Sequence, residues 1–220
     1  MKSLIKSPPF AAVFRALLKH FGPQHWWPGR TRLEICIGAI LTQNTAWINV
    51  EHAIRNLRRA HALNLAALHT APLAQLAARI RPAGYFNVKA RRLRAFTTLV
   101  MEQFGGKLEK LLTLPSAQLR ATLLEVNGIG PETADSIVLY AAQQPVFVVD
   151  AYTRRFLHRH GWINAKATYD EIATLFTGCL PYDEKLFNEF HALIVALGKN
   201  YCRTRPLCDK CPLRQWLKKR

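Results

Sequence analysis

The segment 116–142 contains two helical patterns joined by a tight turn, and it constrains the fold more than any other stretch. Its apolar residues recur at helical spacing, namely Leu119, Leu123 and Val126 before the turn and Ala134, Ile137, Val138 and Ala141 after it. In the turn, Gly128 and Gly130 can each adopt positive φ, and Pro131 suits the first position of the second helix. Ser116 is expected to cap the first helix. The pattern predicts an αα-hairpin.

The rest of the chain also has the composition of a helical protein. Alanine and leucine dominate, and runs of β-branched residues are scarce. Amphipathic helices are predicted at 10–21, 46–60, 64–69 and 72–80, an apolar helix at 33–41 and a basic helix at 87–104. The one strand-like run, 145–150, has no partner strand and is interpreted as a buried extended connector. The sequence therefore predicts an all-α fold with about ten helices.

The chain is strongly basic. It carries 31 Lys and Arg against 14 Asp and Glu, a formal net charge of +17. This excess favours nucleic acid as a partner over a basic surface that only aids solubility. The basic residues are spread along the chain, which disfavours a membrane surface, and no apolar run approaches the roughly 20 residues that cross a bilayer. Because lysines and arginines also interrupt any signal-peptide core, we expect a soluble cytoplasmic protein with Cys36 and Cys179 as reduced, buried thiols.

The turn of the hairpin is a candidate phosphate site. A helix N-terminus presents backbone N–H groups to an anion, and here these groups belong to Gly128, Ile129, Gly130 and Thr133. The alternative is an ordinary connection between two helices. On so basic a chain, contact with the DNA backbone is the favoured interpretation.

Two parts of the sequence together resemble a known signature. Val126–Asp135, followed by Val148, Val149 and Asp150, resembles the helix–hairpin–helix and Gly/Pro…Asp signature of the endonuclease III superfamily of DNA glycosylases. Four stretches resemble its bacterial 3-methyladenine DNA glycosylase branch: Trp-Trp-Pro at 26–28, Gln-Asn-Thr at 43–45, Gly-Tyr-Phe-Asn at 84–87 and Glu-Thr-Ala-Asp at 132–135. The resemblance extends from Trp26 to Cys211.

The resemblance implies two helical lobes. One spans 30–145 and holds the helix–hairpin–helix motif at 116–142. The other combines 1–29 with 146–220 and carries a cysteine-rich loop at 202–211. Double-stranded DNA with a damaged base is expected to lie across a cleft between the lobes, bound by a monomer associated with the nucleoid.

Asp150 is the candidate catalytic residue. An aspartate ahead of a helical pattern is a favoured N-cap, and that role alone accounts for it. Helix N–H groups also keep a carboxylate ionised, and it can then stabilise an oxocarbenium-like sugar and orient the attacking water. The resemblance implies this catalytic role, which requires no cofactor. Bifunctional relatives carry a Schiff-base lysine at the position of Glu132, so we expect no β-lyase activity.

Tryptophans near the N-terminus are candidates for holding a flipped base. Large aromatic residues more often belong to the core, but a base alkylated at N3 or N7 is cationic and binds well to a π-rich surface. The resemblance implies Trp27 and Trp47 as the stacking residues, with Trp26 and Pro28 along the same wall.

The resemblance also implies how the duplex is opened. Gln43 fills the gap left by the flipped nucleotide, and Tyr85 wedges the opposite strand, whereas the plainer alternative for Gln43 is a polar helix end. The basic strip consists of Lys89, Arg91, Arg92 and Arg94. We interpret it as facing DNA phosphates, with Lys89 as a DNA-backbone contact; the alternative is a solvated helix face.

The loop at 202–211 resembles the iron–sulfur loop of the superfamily, whose usual pattern is C-x6-C-x2-C-x5-C around a [4Fe–4S] cluster. Here Cys202, Cys208 and Cys211 have a first gap of five residues, and Leu217 stands where the fourth cysteine would fall. Three interpretations remain open: a labile cluster with another fourth ligand, a zinc site completed by a histidine, and a metal-free remnant.

These features together predict a monofunctional DNA glycosylase of base excision repair that removes an alkylated purine such as 3-methyladenine. One alternative is excision of mismatched thymine or uracil, or of oxidised pyrimidines, on the same scaffold. Another is a non-catalytic DNA-binding module, against which the retained Asp150 argues.

Overall fold

The computed structural model describes residues 8–27 and 29–217, and this part of the chain is helical with no β-strand. Its α-helices are α1 (Phe10–Phe21), α2 (Arg32–Leu41), α3 (Trp47–Arg59), α4 (Leu65–Thr70), α5 (Leu73–Arg79), α6 (Phe86–Gln103), α7 (Leu108–Leu112), α8 (Ser116–Leu124), α9 (Pro131–Ser136), α10 (Ala151–Arg159), α11 (Tyr169–Thr177) and α12 (Glu184–Asn200). Short 3₁₀ turns occur at Arg81–Ala83, Cys208–Lys210 and Arg214–Trp216, and a π-helical turn at Ile137–Ala141 continues α9. The all-α prediction is confirmed, with twelve α-helices in the described residues.

The chain divides into two compact units. The first contains residues 8–26 and 145–217, and the second contains residue 27 and residues 29–144. None of the described helices is long and apolar enough to span a membrane.

An aromatic core organises the first unit. The ring of Phe147 stacks on Phe176 at a centroid distance of 3.6 Å, and Phe10 stacks on Phe176 at 4.1 Å. Phe147, Val148 and Val149 are buried in an extended segment, as predicted for the connector at 145–150. Because this segment is buried up to Val149, the start of α10 is held at a fixed place in the unit.

A close approach of two helices holds α10 in the same unit. A Cβ added at Gly198 on α12 would overlap the ring of Tyr152, which lies in the first turn of α10. Only glycine at position 198 leaves room for this ring. The contact therefore places the N-terminus of α10 against α12.

Helix α2 is the centre of the second unit, and most of its residues are buried, including Cys36, Ile37, Ile40 and Leu41. Burial raises the pKa of the Cys36 thiol, which stays protonated as a small apolar group. The expectation that Cys179 is also buried is wrong, because that residue is exposed after the end of α11.

The predicted hairpin is formed by α8 and α9, and Pro131 is the first residue of α9 as expected. Arg120 Nε donates to the buried Asp135 Oδ1 at 2.7 Å, which ties the two helices together. The capping role of Ser116 is wrong, because Pro115 is the N-cap and the Ser116 side chain makes no capping hydrogen bond. The turn also uses its glycines differently: Gly128 has φ 88°, whereas Gly130 is extended with φ −95°.

Candidate active site

Asp150 lies at the N-cap of α10, as its sequence context predicts. Its Oδ1 accepts a hydrogen bond of 2.7 Å from the backbone N–H of Thr153, and its Oδ2 lies 3.6 Å from Nε2 of His191 on α12. The Asp150 side chain is 13% exposed, so it is largely enclosed by the protein without being fully buried. Such a group can act on a reactant while most of it is held by the protein.

Opposing effects set the pKa of Asp150. Burial raises it, but the neighbouring His191 imidazole and the Thr153 amide lower it by more, and the net pKa lies below the usual range of an aspartate. The carboxylate is therefore ionised at neutral pH. An ionised acid at this place can stabilise positive charge on a nearby sugar and accept a proton from water.

His191 is a residue that the sequence interpretation missed. It is 4% exposed on α12 and stacks on Trp26 at a centroid distance of 5.7 Å and an interplanar angle of 25°. Lys199 Nζ lies 6.0 Å from the centroid of the Trp26 ring. The available signal was a histidine inside an otherwise apolar helical stripe, but only the fold shows that it reaches Asp150.

An aromatic corner lies in the second unit and consists of Trp27, Trp47 and Tyr140. The rings of Trp27 and Trp47 meet edge to face at 5.1 Å, and Trp27 and Tyr140 are 4.8 Å apart at 40°. Trp47 Nε1 donates a 3.0 Å hydrogen bond to Glu51 Oε1, so its ring orientation is fixed from within α3. The structure thus brings Trp27 and Trp47 together as the resemblance implied, whereas Trp26 contacts residues of the first unit.

Gly38 of α2 forms the base of this corner. An added Cβ would lie 3.2 Å from the Trp47 ring and 3.5 Å from the Trp27 ring, so the two indoles rest against the helix backbone. Sequence reasoning missed Gly38, Tyr140 and Glu51, because glycine and tyrosine inside a helical run carry no separate signal. Pro28, predicted for the same wall, lies outside the described residues.

The Gln43 side chain forms hydrogen bonds with the hairpin. Its Nε2 donates to the carbonyl of Gly128 at 3.0 Å and to Thr133 Oγ1 at 2.9 Å, and its Oε1 accepts from Arg92. Its amide therefore links α6 to the hairpin. Insertion of Gln43 into a duplex would require it to break all three hydrogen bonds.

Tyr85 has the geometry of a residue that could insert into DNA. Its side chain is 70% exposed, and its backbone is left-handed with φ 45° at the N-cap of α6. A non-glycine residue in this region is uncommon and stores conformational strain. The turn is therefore built to present this ring to solvent.

One of the predicted backbone N–H contacts at the hairpin, that of Ile129, is wrong. The N–H of Ile129 donates to the carbonyl of Val126 at 3.0 Å and its side chain is buried, so it has no group left for phosphate. The Thr133 hydroxyl is buried and accepts from Gln43, whereas contact between the Thr133 backbone N–H and a phosphate stays a prediction. Gly128 and Gly130 remain in the turn, where neither has a side chain that would obstruct a phosphate.

Lys89 was predicted as a DNA-backbone contact, and this is also wrong. It is 1% exposed, and its Nζ donates to the carbonyls of Leu41 at 2.9 Å and Ala83 at 2.7 Å. Burial, with a smaller effect of the nearby Arg92 charge, lowers its pKa to about 8. Lys89 thus binds together the ends of α2 and of the turn at Arg81–Ala83.

Two of the three arginines in the basic strip form hydrogen bonds within the protein. Arg92 donates to Gln43, and Arg94 donates to the carbonyls of Leu68 and Ala71, whereas Arg91 is exposed. These arginines organise α6 against its neighbours. Contact of the three arginines with DNA phosphates stays a prediction, and Arg91 is the exposed member of the strip.

The three C-terminal cysteines line one small cavity of about 20 Å³, together with Leu217. A cavity of this size holds about one water molecule, which is too small for an iron–sulfur cube. Arg159 donates to Cys202 Sγ at 3.2 Å, and no three His, Cys, Asp or Glu side chains in the described part of the chain are arranged to bind a metal ion. Cys202, Cys208 and Cys211 as arranged here do not fit a four-thiolate cluster.

Arginines of α10 hold the cysteine loop in place. Arg159 also donates to the carbonyls of Arg203 at 2.5 Å and Thr204 at 3.0 Å, and Arg155 donates to the carbonyl of Cys202 at 2.6 Å. Burial and the neighbouring thiols of Cys202 and Cys208 raise the pKa of Cys211. Side chains of α10 thus hold the loop against the rest of the first unit.

Comparison with known protein families assigns the chain to a class of protein. Residues 37–181 match the family model of the HhH-GPD superfamily base excision DNA repair proteins. The chain belongs to this superfamily, and it is a base excision DNA glycosylase by family.

Individual relatives agree with this assignment. The chain is 47% identical over 205 residues to MJ1434 of Methanocaldococcus jannaschii, a protein named by inference as a DNA repair glycosylase, and the match covers 93% of each chain. The Helicobacter pylori 3-methyladenine DNA glycosylase MagIII is 29% identical with a TM-score of 0.73, covering 86% of this chain and 97% of that one. Endonuclease III in a DNA complex is 21% identical with a TM-score of 0.82, covering 94% and 93%, and shows the shared fold.

Proposed function

We propose that this protein is a monofunctional DNA glycosylase that removes an alkylated purine such as 3-methyladenine from double-stranded DNA. The observation that carries the proposal is Asp150, an ionised carboxylate held at the N-terminus of α10 in the family's signature position. The aromatic corner supports the class of base, and similarity to MagIII, which was solved with 1,N6-ethenoadenine, supports it independently.

Asp150 supplies the chemistry of hydrolysis. As the bond between the base and C1′ breaks, the sugar develops oxocarbenium character, and an adjacent carboxylate lowers the energy of that charge. The same carboxylate accepts a proton from the water that attacks C1′. The base leaves with the bonding electrons, and an abasic site remains. No cofactor takes part in these steps.

The aromatic corner supplies selectivity for a damaged base. Purines alkylated at N3 or N7 carry a positive charge within DNA, and an indole face attracts a cation more strongly than a neutral base. Trp27 and Trp47 are fixed by Gly38 and Glu51, so they require little reorganisation to receive a base. Alkylation also makes the base a better leaving group, so less acid catalysis is needed.

The absence of lyase chemistry is supported by two residues. Glu132 stands in the first turn of α9, where a Schiff-base lysine would be needed, and a carboxylate cannot form that adduct. Lys89 has a lowered pKa, but its ammonium group is buried against two carbonyls. We propose Tyr85 as the wedge, because it is exposed while the Gln43 amide is bound within its own unit.

Release of free bases from methylated duplex DNA tests this proposal. Wild type and Asp150→Asn are incubated with the duplex, and 3-methyladenine, 3-methylguanine and 7-methylguanine are separated by chromatography. Release by wild type that falls at least 100-fold in Asp150→Asn supports the proposal. Release of thymine, uracil or oxidised pyrimidines instead would assign the same scaffold to another lesion.

A further inference from the structure

We propose that Glu51 determines specificity for a cationic base, by holding the Trp47 indole and increasing its electron density. The inference rests on the proposed function, in which Trp47 stacks on the flipped base. It assigns a role to a residue that does not itself touch the base.

The geometry places Glu51 behind Trp47. The two residues lie one turn apart on α3, on the same helix face, and Trp47 Nε1 donates to Glu51 Oε1 at 3.0 Å. The ring of Trp47 is also bounded by Gly38 and by the edge-to-face contact with Trp27. The indole therefore has one orientation, and its N–H points at a carboxylate.

No neighbour among residues 8–27 and 29–217 forms an ion pair with this carboxylate. Within the described residues, Glu51 takes part in no ion pair, and the Trp47 indole is its hydrogen-bond partner. The chain has a net charge of +17, so basic residues were available for pairing. A lone carboxylate beside an aromatic corner is instead suited to act on the ring.

A carboxylate acting through an indole N–H distinguishes charged from neutral bases. A hydrogen bond to an ionised acceptor is stronger than one to a neutral acceptor. It polarises the N–H bond and so moves electron density toward the indole ring. The face of the ring becomes more negative, which strengthens its attraction for a cation. A neutral base stacks by dispersion and gains little from this change.

Glu51→Gln separates this role from simple support of the ring. The Gln amide oxygen still accepts from Trp47 Nε1, so the orientation of the ring is retained while the charge is removed. Glu102→Gln is the matched control, because Glu102 is exposed on α6 in the same unit and the substitution removes the same charge. Trp47→Phe keeps a ring but has no N–H to transmit the effect.

The experiment measures kcat/KM for 3-methyladenine release by each protein. The uncharged base used for comparison is 1,N6-ethenoadenine, and the Kd for a duplex that contains it is measured. These measurements use proteins that also carry Asp150→Asn, so that the base is not released during binding. Glu51→Gln is expected to lower kcat/KM about three- to tenfold and to change the Kd less than twofold. Glu102→Gln is expected to change neither, and thermal unfolding shows that each variant is folded.

The combination with Trp47→Phe decides whether the indole transmits the effect. In that background, Glu51→Gln is expected to change 3-methyladenine release less than twofold. An equal effect in both backgrounds, or equal activity of Glu51→Gln and Glu102→Gln, would overturn the inference. If wild type releases no 3-methyladenine at all, the proposed function itself is wrong. This outcome differs from the two outcomes that overturn only the role of Glu51.

Discussion

The imidazole of His191 lies 3.6 Å from the carboxylate of Asp150, with its ring stacked on Trp26. The pair joins the N-terminus of α10 to the middle of α12, and it helps to hold the pKa of Asp150 below the usual aspartate range. The acid that carries the proposed chemistry thus depends on a neighbour that the sequence motif does not contain.

Replacement of His191 by phenylalanine should shift the pH dependence of base release. The substitution keeps an aromatic ring on Trp26 but removes the imidazole that lowers the pKa of Asp150, so that pKa rises. Because only the ionised acid is active, the acidic limb of the pH profile should move to higher pH. His158→Phe, an exposed histidine on α10, is the control and should leave the limb in place.

The same pair affects stability. Wild-type Asp150 has a lowered pKa in the folded state, so its contribution to the free energy of unfolding is present at neutral pH and is lost as pH falls through that pKa. His191→Phe should therefore be less stable than wild type at neutral pH, and the difference should narrow in acid. A difference that widens on acidification would contradict the assignment.

The two glycines of the hairpin should respond differently to alanine. Gly128 has φ 88°, and an added Cβ would lie 2.5 Å from Arg92 Cγ, whereas Gly130 has extended backbone and open space at the same place. Gly128→Ala should lower the free energy of unfolding by about 1–3 kcal/mol and weaken binding to damaged and undamaged duplexes alike. Gly130→Ala should lose less than about 1 kcal/mol, and equal effects of the two substitutions would contradict this assignment of the turn.

The local features of this fold could be predicted from sequence because they depend on neighbouring residues. The hairpin, the helical first position of Pro131 and the N-cap role of Asp150 each follow from spacing and backbone preference within a few positions. The extended backbone of Gly130 could not be predicted from its identity, because glycine permits positive φ without requiring it.

Contacts between residues far apart in the chain were not predictable in this way. Lys89 looks like a surface residue beside three arginines, but the fold buries its ammonium group against the carbonyls of Leu41 and Ala83. Likewise, the sequence shows Gln43 in a family motif, while its hydrogen bonds to Gly128 and Thr133 depend on the packing of α2 against the hairpin. A pattern of residue types does not specify which polar groups pair.

Lys89→Met tests the buried role of this lysine. The substitution leaves two carbonyl groups without their donor, so the free energy of unfolding should fall by about 2–4 kcal/mol at pH 7. Lys110→Met, at an exposed position of α7, should change it by less than about 0.5 kcal/mol. Equal stability of the two variants would mean that Lys89 is not a structural link.

The pKa of Lys89 adds a prediction about pH. The folded pKa is about 8 against the ordinary 10.5, so between these values the unfolded state binds the proton more tightly and wild-type stability rises with pH. The stability advantage of wild type over Lys89→Met should therefore grow by up to about 3 kcal/mol between pH 8 and 10.5. Denaturant unfolding across that range measures the difference, and no growth would contradict the assigned pKa.

Metal removal should leave the protein unchanged, because the cysteine loop is anchored by Arg155 and Arg159. Dialysis against a chelator is expected to shift the Tm by less than about 1 °C, and anaerobically purified protein should contain no stoichiometric iron or zinc. Arg159→Met, which removes the hydrogen bonds to Cys202, Arg203 and Thr204, should lower the Tm by about 4 °C or more. Stoichiometric iron with a chelator-sensitive Tm would show that the loop rearranges around a cluster.

The most direct test of the central claim is strand analysis of a methylated, end-labelled duplex treated with wild type and with Asp150→Asn. A monofunctional glycosylase leaves abasic sites, so we predict that wild type produces strand breaks only after alkali and gives no covalent adduct with borohydride. Asp150→Asn should produce neither breaks nor abasic sites above background. Strand cleavage without alkali, together with a borohydride-trapped adduct, would show that a lysine of this chain attacks the sugar and would contradict the account.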